Sequence, residues 1–353
     1  MIARSSPPRV GVACTAAAKE RYCASASVRR LEQLAEVGWL LFDGPSRTEG
    51  PPPEEAELVS RLRRFAVDLD ALVVSYGCPR VSAGVIAAAP RLALIGETHG
   101  DRRGERIDVA AARARQIVLV DTTNASSDPV AEWALALMLI GLRNAGALFR
   151  RLLAGEVLWE DREEFRSDPG YLNAELTGKT VGIVGAGHVG RLLIGYLRPF
   201  DVRILAHDPG APDELGDIFD LELTSLENVM RHADVAVCLV PLTATTRGLI
   251  GTAEIEAIKP GGVFVNVSRG AVVDGEALLR RLRRGDLVAC LDVVDPEPLE
   301  ASSPLRALPN VFLSPHIAGV TAASEPRFFD RMVDELTRFF AGHRVRHPLV
   351  PRT

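Results

Sequence analysis

Residues 180–190 have the sequence T-V-G-I-V-G-A-G-H-V-G, in which a short apolar run leads into glycines spaced G-x-G-x-x-G. The branched apolar residues predict a buried strand, and the apolar spacing over 191–197 predicts a helix directly after the glycines. In this strand–turn–helix context, Gly185 permits a tight turn, Gly187 lets the backbone approach a diphosphate, and Gly190 allows the helix to pack closely on the strand. The pattern therefore predicts a dinucleotide-binding unit.

A carboxylate follows at the position expected for the same unit. Asp208 comes after the next predicted strand, close to the ~20-residue spacing at which an acidic residue binds the ribose hydroxyls of NAD. A carboxylate there repels a 2′-phosphate, and residues 209–215 contain no arginine, so NAD is favoured over NADP. His188 and Val189, within the glycine turn, are also candidates for cofactor binding, and the N-terminus of the following helix would supply N–H groups to the phosphates. The alternative is a glycine turn in a fold that binds no nucleotide.

Short apolar strands and amphipathic helices alternate over two long parts of the chain, residues 9–122 and about 179–315. This alternation predicts an α/β protein with two Rossmann-like, doubly wound parallel sheets, each covered by helices on both faces. An almost wholly apolar helix is predicted at 130–142, and the tail, about 322–346, is predicted to form an amphipathic helix that ends at Gly342. The predicted strands are 9–15, 38–42, 71–75, 92–95 and 117–120, then 180–184, 203–206, 235–239, 263–266, 288–291 and 311–313.

Composition excludes several classes of function. Of the 353 residues, 47% are hydrophobic and 25% are charged, which is typical of a globular protein, and the net charge of −5 predicts neither nucleic-acid nor membrane binding. The five cysteines form no C-x-x-C pair and no cluster with histidine, so we expect no disulfide framework and no metal site. No apolar run has the length of a bilayer span, and the first residues lack the apolar core of a signal peptide, so we expect neither feature. The scattered cysteines fit a reducing cytoplasm best.

Three polar side chains follow predicted strands of the second half: Arg269 in N-V-S-R-G, Glu297 in D-P-E-P and His316 in S-P-H-I-A-G. The carboxyl ends of parallel strands form one edge of a sheet, so we expect these residues at one cleft. A guanidinium can hold the carboxylate of a 2-keto acid, an imidazolium can donate a proton to its ketone oxygen, and a carboxylate can orient the imidazole. Singly, each is more simply a loop or surface residue; together, after a dinucleotide motif, they predict 2-keto acid reduction.

These motifs resemble those of the D-isomer-specific 2-hydroxyacid dehydrogenase family, which includes phosphoglycerate dehydrogenase and glyoxylate/hydroxypyruvate reductase. The resemblance is specific from about 128 to 321. The stretches that carry it are 180–191, 240–250, 263–274, 291–299 and 310–319.

The resemblance implies a role for each matching residue. Arg269, Glu297 and His316 would be the catalytic residues, with Arg269 also binding the substrate, and NAD would be the cofactor. Asp292 would approach the nicotinamide carboxamide. The residues that would line the cofactor cleft are Pro241, Thr246 and Ser268.

The resemblance also implies a domain organisation. An NAD-binding domain, residues 129–321, would be inserted into a flavodoxin-like substrate domain made of residues 1–128 and 322–353. Two copies of the chain would form a homodimer through the nucleotide domain, with the helix at 130–142 in the interface.

The first half departs from the family pattern in the loop after the fourth strand. Family members carry a small glycine-rich loop there, whose N–H groups hold the substrate carboxylate, whereas this chain has E-T-H-G-D-R-R at 97–103. Thr98 and Gly100 remain candidates for substrate binding. His99 contacts the substrate, or the loop is displaced, or His99 is an ordinary surface-loop histidine. Gly77, in Y-G-C-P after the third strand, is the other candidate.

Two alternatives to an NAD-dependent reductase of small 2-keto acids stay open. Some members of the family act as corepressors while keeping the catalytic residues, so a protein that senses NAD(H) without catalysis is the first. Another Rossmann enzyme, such as one similar to adenosylhomocysteine hydrolase, is the second, and the R-G and P-H motifs at 269 and 316 disfavour it. The identity of the keto acid is not predicted.

Overall fold

The computed structural model describes residues 6–46, 52–99, 106–168 and 174–349, and the chain divides into two compact units. Unit 1 combines Met1–Ser126 with Ala322–Thr353, and unit 2 is Ser127–Thr321. Unit 2 is therefore inserted, in sequence, between the two segments of unit 1.

Unit 1 contains a parallel sheet with the strand order β2-β1-β3-β4-β5. The strands are β1 (Arg9–Thr15), β2 (Glu36–Phe42), β3 (Ala71–Val74), β4 (Leu94–Glu97) and β5 (Val118–Asp121). The helices of its first segment are α1 (Ala16–Tyr22), α2 (Ser25–Leu34), α3 (Ala56–Ala66), α4 (Ala83–Ala88) and α5 (Val109–Ala114). Helices cover both faces, which is why a central strand such as β3 is buried at every residue.

Unit 2 contains a second parallel sheet, ordered β12-β11-β10-β9-β6-β7-β8. Its strands are β6 (Thr180–Val184), β7 (Arg203–His207), β8 (Glu222–Leu223), β9 (Val235–Cys238), β10 (Gly262–Asn266), β11 (Leu287–Leu291) and β12 (Val311–Leu313). Its helices are α6 (Ser127–Leu142), α7 (Ala145–Leu153), α8 (Arg162–Ser167), α9 (His188–Leu197), α10 (Glu214–Phe219), α11 (Leu226–His232), α12 (Thr252–Ala257) and α13 (Gly275–Leu282). The predicted fold class, two parallel α/β sheets, is confirmed.

The strand order of unit 2 reverses between β6 and β9. The chain moves outward from β6 to β7 and β8, then returns to place β9 on the other side of β6. The connections after β6 and β9 therefore diverge, and a crevice opens beyond the carboxyl ends of these strands, where open α/β sheets bind ligands.

Helix α6 is a core helix of unit 2. Ala131, Ala134, Leu137 and Met138 have no exposed surface and belong to the same apolar cluster as β6, β9 and β10. A Cβ at Gly141 would lie 2.5 Å from Cγ1 of Val263, so the helix crosses the sheet at close range. Within the described ranges no single helix has the length and apolarity of a membrane span, and only the bent pair Thr123–Leu142 and Ala145–Leu153 meets those criteria jointly.

The C-terminal helix begins later than predicted from the sequence. Helix α14 spans Arg327–Phe340, and Gly342, with φ of +80°, follows its end. The chain then turns back, and the N–H of Leu349 donates to the carbonyl of Leu119 in β5 at 2.9 Å. The buried carboxylate of Glu335 in α14 holds this return, since it lies 2.8 Å from Nδ1 of His347. The predicted end at Gly342 agrees with the structure, whereas the predicted start near residue 322 was wrong, because residues 322–326 precede the helix.

Candidate active site

The candidate residues of unit 2 follow successive strands of one parallel sheet, so all of them lie at its carboxyl edge. Across the sheet, they are Asp208 after β7, Gly185 after β6, Pro241 after β9, Arg269 after β10, Asp292 and Glu297 after β11, and His316 after β12.

The geometry of the glycine turn fits a bound diphosphate. Gly185 has φ of +101°, and a Cβ there would lie 2.9 Å from Cγ1 of Val240, while a Cβ at Gly190 would lie 2.3 Å from the Gly185 carbonyl oxygen. Gly187, in contrast, has no heavy atom within 4 Å of where a Cβ would stand, so its open side can receive a ligand. Helix α9 begins at His188, and no side chain caps its N-terminus, which leaves its first N–H groups for an anion.

Hydrogen bonds hold the side chain of Asp208 beside this turn. Its Oδ2 accepts the N–H of Ala186 at 2.9 Å, and its Oδ1 accepts the N–H of Gly210 at 3.0 Å. Each carboxylate oxygen retains a second lone pair, so these bonds leave Asp208 able to accept hydroxyl groups as well.

The loops after β9 and β10 are held together by hydroxyl groups. Thr246 donates through Oγ1 to the carbonyl of Pro241 at 2.5 Å and accepts the N–H of Thr243, which closes the turn after β9. Ser268 donates through Oγ to the carbonyl of Val240. The three predicted lining residues thus belong to two adjoining loops.

Arg269 is exposed at the end of a turn that Asn266 shapes. The buried Asn266 accepts the N–H of Ser268 at 3.0 Å and donates to the carbonyl of Arg269 at 3.2 Å. A Cβ at Gly270 would lie 2.0 Å from the carbonyl carbon of Val294, so only glycine allows this approach. Roles for Asn266 and Gly270 were not predicted from the sequence, although both residues belong to the N-V-S-R-G motif.

His316 and Glu297 form a direct pair. Nδ1 of His316 lies 2.6 Å from Oε1 of Glu297, with the side chains 30% and 38% exposed. A carboxylate only accepts, so Nδ1 carries the hydrogen of this bond and Nε2 is the atom that can exchange a proton. His316 has φ of +54°, a left-handed conformation that a non-glycine residue adopts only where its surroundings hold it.

Asp292 is buried beneath the His316 loop. Its Oδ1 accepts the hydroxyl of Ser314 at 2.6 Å and the N–H of Ile317 at 3.0 Å, and its Oδ2 accepts the N–H of Ala318 at 3.0 Å. The resemblance implies that Asp292 approaches the nicotinamide carboxamide; in the structure its carboxylate accepts N–H groups of the His316 loop.

The candidates of unit 1 lie at the carboxyl ends of β3 and β4. Gly77 has φ of +74°, and a Cβ there would lie 2.2 Å from Cγ2 of Thr15, so the position requires glycine. Thr98 is buried, and its Oγ1 lies 2.6 Å from Nδ1 of His99. Gly100 lies outside the described residues.

His99 is packed among aromatic rings. Its ring centroid lies 4.0 Å from that of Tyr76, 4.6 Å from Tyr22 and 5.0 Å from Phe328, and its N–H donates to Oε1 of Glu97 at 2.8 Å. The interpretation of His99 as an ordinary surface-loop residue is therefore wrong. Sequence spacing missed this cluster because its rings come from four separate segments of the chain.

The five cysteines are free thiols, and only Cys23 is not fully buried. Burial raises the pKa of Cys14 to about 11 and that of Cys238 and Cys290 to about 12, so these side chains stay protonated and unreactive near neutral pH. Among the described residues, no group of three His, Cys, Asp or Glu side chains is arranged to hold a metal ion.

Comparison with known proteins gives consistent matches. The family model "D-isomer specific 2-hydroxyacid dehydrogenase, NAD binding domain" matches residues 135–318. The glyoxylate reductase of Aeropyrum pernix is 33% identical over 298 residues, which cover 83% of this chain and 84% of that protein. The D-3-phosphoglycerate dehydrogenase of Methanocaldococcus jannaschii is 33% identical over 305 residues, 84% of this chain but 54% of that protein, so this chain spans about half its length.

A solved structure agrees on the fold. The phosphoglycerate oxidoreductase of Rhizobium etli superposes with a TM-score of 0.80 over 97% of both chains at 22% identity. At this identity the likeness supports the fold alone.

Proposed function

Because this chain belongs to the D-isomer-specific 2-hydroxyacid dehydrogenase family and NAD is the cofactor of that family's binding domain, we propose that it catalyses hydride transfer between NADH and C2 of a small 2-keto acid. The product is the corresponding D-2-hydroxy acid. The observation that carries this proposal is the His316–Glu297 pair, which stands at the same sheet edge as the glycine turn.

NAD would be held by residues at the carboxyl ends of β6, β7, β9 and β10. Gly185, Gly187 and Gly190, with the N–H groups at His188 and Val189, would bind the diphosphate, and Asp208 would accept the ribose hydroxyls. Pro241, Thr246 and Ser268 would line the cleft. The bound cofactor supplies the hydride that reduces C2.

His316 and Arg269 would act on the substrate itself. The guanidinium of Arg269 binds the substrate carboxylate through two parallel hydrogen bonds and draws electron density from the neighbouring carbonyl. Nε2 of protonated His316 donates a proton to the carbonyl oxygen as negative charge develops there. In the oxidation direction the same nitrogen accepts the hydroxyl proton.

Glu297 would act through His316. Its bond to Nδ1 fixes which nitrogen faces the substrate, and its negative charge stabilises the imidazolium when His316 holds the proton. We assign Glu297 the role of orienting carboxylate for these reasons.

Gly77, Thr98, His99 and Gly100 are proposed to bind the substrate. Those that the structure describes lie after β3 and β4, at the edge where α/β sheets bind ligands. The aromatic rings around His99 favour substrates with an apolar side chain, so the substrate panel should extend beyond the smallest acids.

We also propose that the protein is a cytoplasmic homodimer. Five free cysteines suit a reducing compartment. Helix α6, which contains the helix predicted at 130–142, buries about half of its apolar side chains within its own unit, whereas the adjoining α7 exposes Phe149 by 60% and Leu153 by 72%. The interface would therefore extend from α6 onto α7. A Leu153→Asp variant should elute as a monomer in size-exclusion chromatography, and an unchanged elution volume would contradict this interface.

The test of the proposed activity is NADH oxidation with glyoxylate, hydroxypyruvate, pyruvate, phenylpyruvate and 2-ketoisocaproate, measured for the wild type and His316→Gln. Turnover of at least one acid, lost in His316→Gln while NADH binding persists, supports the reductase. Tight NADH binding without turnover of any of them would instead favour the NAD(H)-sensing alternative. Unchanged turnover in His316→Gln would remove His316 from the acid role.

A further inference from the structure

We propose that Trp133 is a positioning residue for the catalytic loop, acting through Ser314 and Asp292 on His316. The proposal rests on the proposed role of His316 and extends it to a helix that the catalytic motifs do not include. Trp133 lies in α6, half-buried against the core cluster of unit 2.

The indole contacts the catalytic loop by a directed hydrogen bond. Nε1 of Trp133 donates to Oγ of Ser314 at 3.1 Å, and Oγ of Ser314 lies 2.6 Å from Oδ1 of Asp292. An indole nitrogen only donates and a carboxylate only accepts, while a hydroxyl does both. The serine hydrogen must therefore point at Asp292, and the three groups form one chain with a single direction.

Asp292, the last acceptor in this series of hydrogen bonds, fixes the backbone around His316. The carboxylate of Asp292, 2% exposed, accepts the N–H groups of Ile317 and Ala318, and its backbone carbonyl accepts the N–H of His316 at 2.9 Å. These bonds surround the residue that has φ of +54°. The left-handed conformation of His316 is thus held by a buried carboxylate on the C-terminal side and by Ser314 on the N-terminal side.

Trp133 adds orientation that the loop cannot supply alone. Without the indole donor, the oxygen of Ser314 loses one of the two hydrogen bonds that fix its position beside Asp292. Consecutive hydrogen bonds that are shielded from water strengthen one another, so loss of the Trp133–Ser314 bond weakens the Ser314–Asp292 bond. A shift of the loop would displace Nε2 of His316 from the substrate oxygen while leaving the glycine turn and Asp208 in place.

The test compares variants that keep or remove one hydrogen-bonding group. Trp133→Phe keeps an aromatic ring but removes the donor. Ser314→Ala removes the hydroxyl, whereas Ser314→Thr keeps one. We expect kcat to fall on the order of tenfold in Trp133→Phe and in Ser314→Ala, with NADH affinity within about twofold of wild type. Ser314→Thr should retain wild-type kcat.

Two further readouts separate positioning from general packing. The primary deuterium isotope effect with C4-deuterated NADH should rise in Trp133→Phe, because a misplaced acid slows the chemical step. The double variant Trp133→Phe/Ser314→Ala should be no slower than Ser314→Ala alone, because both changes break the same chain. Trp39→Phe, which removes an indole N–H from β2 in unit 1, is the matched control and should leave kcat unchanged.

The outcomes separate this inference from the proposed function. If His316→Gln abolishes turnover but Trp133→Phe keeps wild-type kcat and isotope effect, the positioning role is overturned and the reductase stands. Additive losses in the double variant, or equal losses of kcat and NADH affinity, would indicate a packing defect and also overturn it. If His316→Gln retains turnover, His316 is not the general acid, and the positioning role of Trp133 is overturned as well.

Discussion

Nδ1 of His316 lies 2.6 Å from Oε1 of Glu297, although the two residues leave the sheet from different strands, Glu297 after β11 and His316 after β12. The strands are hydrogen-bonded neighbours, with Leu291 opposite Leu313, so two loops of different length reach the same point. The pair is therefore a product of sheet topology rather than of nearness in sequence.

Replacing Glu297 by Gln should impair catalysis far more than binding. An amide can donate to Nδ1 as well as accept from it, so the imidazole loses both its fixed tautomer and the negative charge that supports its protonated form. We expect kcat to fall by about 10² or more, with KM and NADH affinity changed by less than about threefold. Steady-state kinetics and fluorescence titration with NADH measure these quantities. A kcat within a factor of about three of wild type would contradict the orienting role.

Replacing Arg269 by Lys should weaken substrate binding while leaving cofactor binding intact. Lysine keeps the positive charge but not the planar fork that holds a carboxylate through two bonds. We expect KM for the keto acid to rise by about tenfold or more and kcat to fall, with no change in NADH affinity. Arg247→Lys, an exchange of the same kind in the loop after β9, is the control and should change neither constant. An unchanged KM in Arg269→Lys would exclude Arg269 from the carboxylate site.

Replacing Asp208 should change the choice of cofactor, and two variants separate its roles. Asp208→Ala removes both the charge and the acceptor for the Ala186 N–H, whereas Asp208→Asn removes the charge and keeps an acceptor. If the charge excludes a 2′-phosphate, both variants should lower the ratio of NADH to NADPH efficiency, and Asp208→Ala should also weaken NADH binding more strongly. Kinetics with both cofactors give the ratio. A wild-type ratio in both variants would show that Asp208 does not face the ribose.

Much of this site could be predicted from the sequence because its residues stand in short motifs at the ends of apolar strands. Each of these motifs follows a strand that is recognisable as a short apolar run: the glycine turn, Arg269, Glu297 and His316. Parallel strands place their carboxyl ends at one edge of the sheet. The bounds of β6 and β12 were predicted without error.

The parts that could not be predicted depend on contacts between distant segments. Trp133 and Ser314 are 181 residues apart in sequence, and no spacing rule joins a helical tryptophan to a strand-end serine. The aromatic rings around His99 likewise come from segments that are far apart in the sequence. Strand β8 was missed because it has only two residues, Glu222 and Leu223, at the edge of the sheet, too few to show alternation.

Asp234 gives a prediction about stability and pH. Its Oδ2 accepts the N–H of Thr180, where β6 begins, and its Oδ1 lies 2.8 Å from Nζ of Lys259, near the start of β10. Burial by itself opposes ionisation of Asp234, but the bonds from Lys259 and the Thr180 N–H outweigh it and hold the pKa of this carboxyl below its ordinary value.

A carboxyl whose pKa is lower in the folded state stabilises the fold above its unfolded pKa of about 3.9, and this contribution is lost as the pH falls through the folded value. Asp234→Asn should therefore lower the urea midpoint of unit 2 at pH 7, and the difference from wild type should shrink below about pH 4. Asp68→Asn removes an exposed carboxylate 3.7 Å from Arg9 and serves as the control, with little effect at either pH. Equal midpoints for wild type and Asp234→Asn at pH 7, or a difference that stays constant down to pH 3, would show that the charge of Asp234 does not stabilise these strand ends.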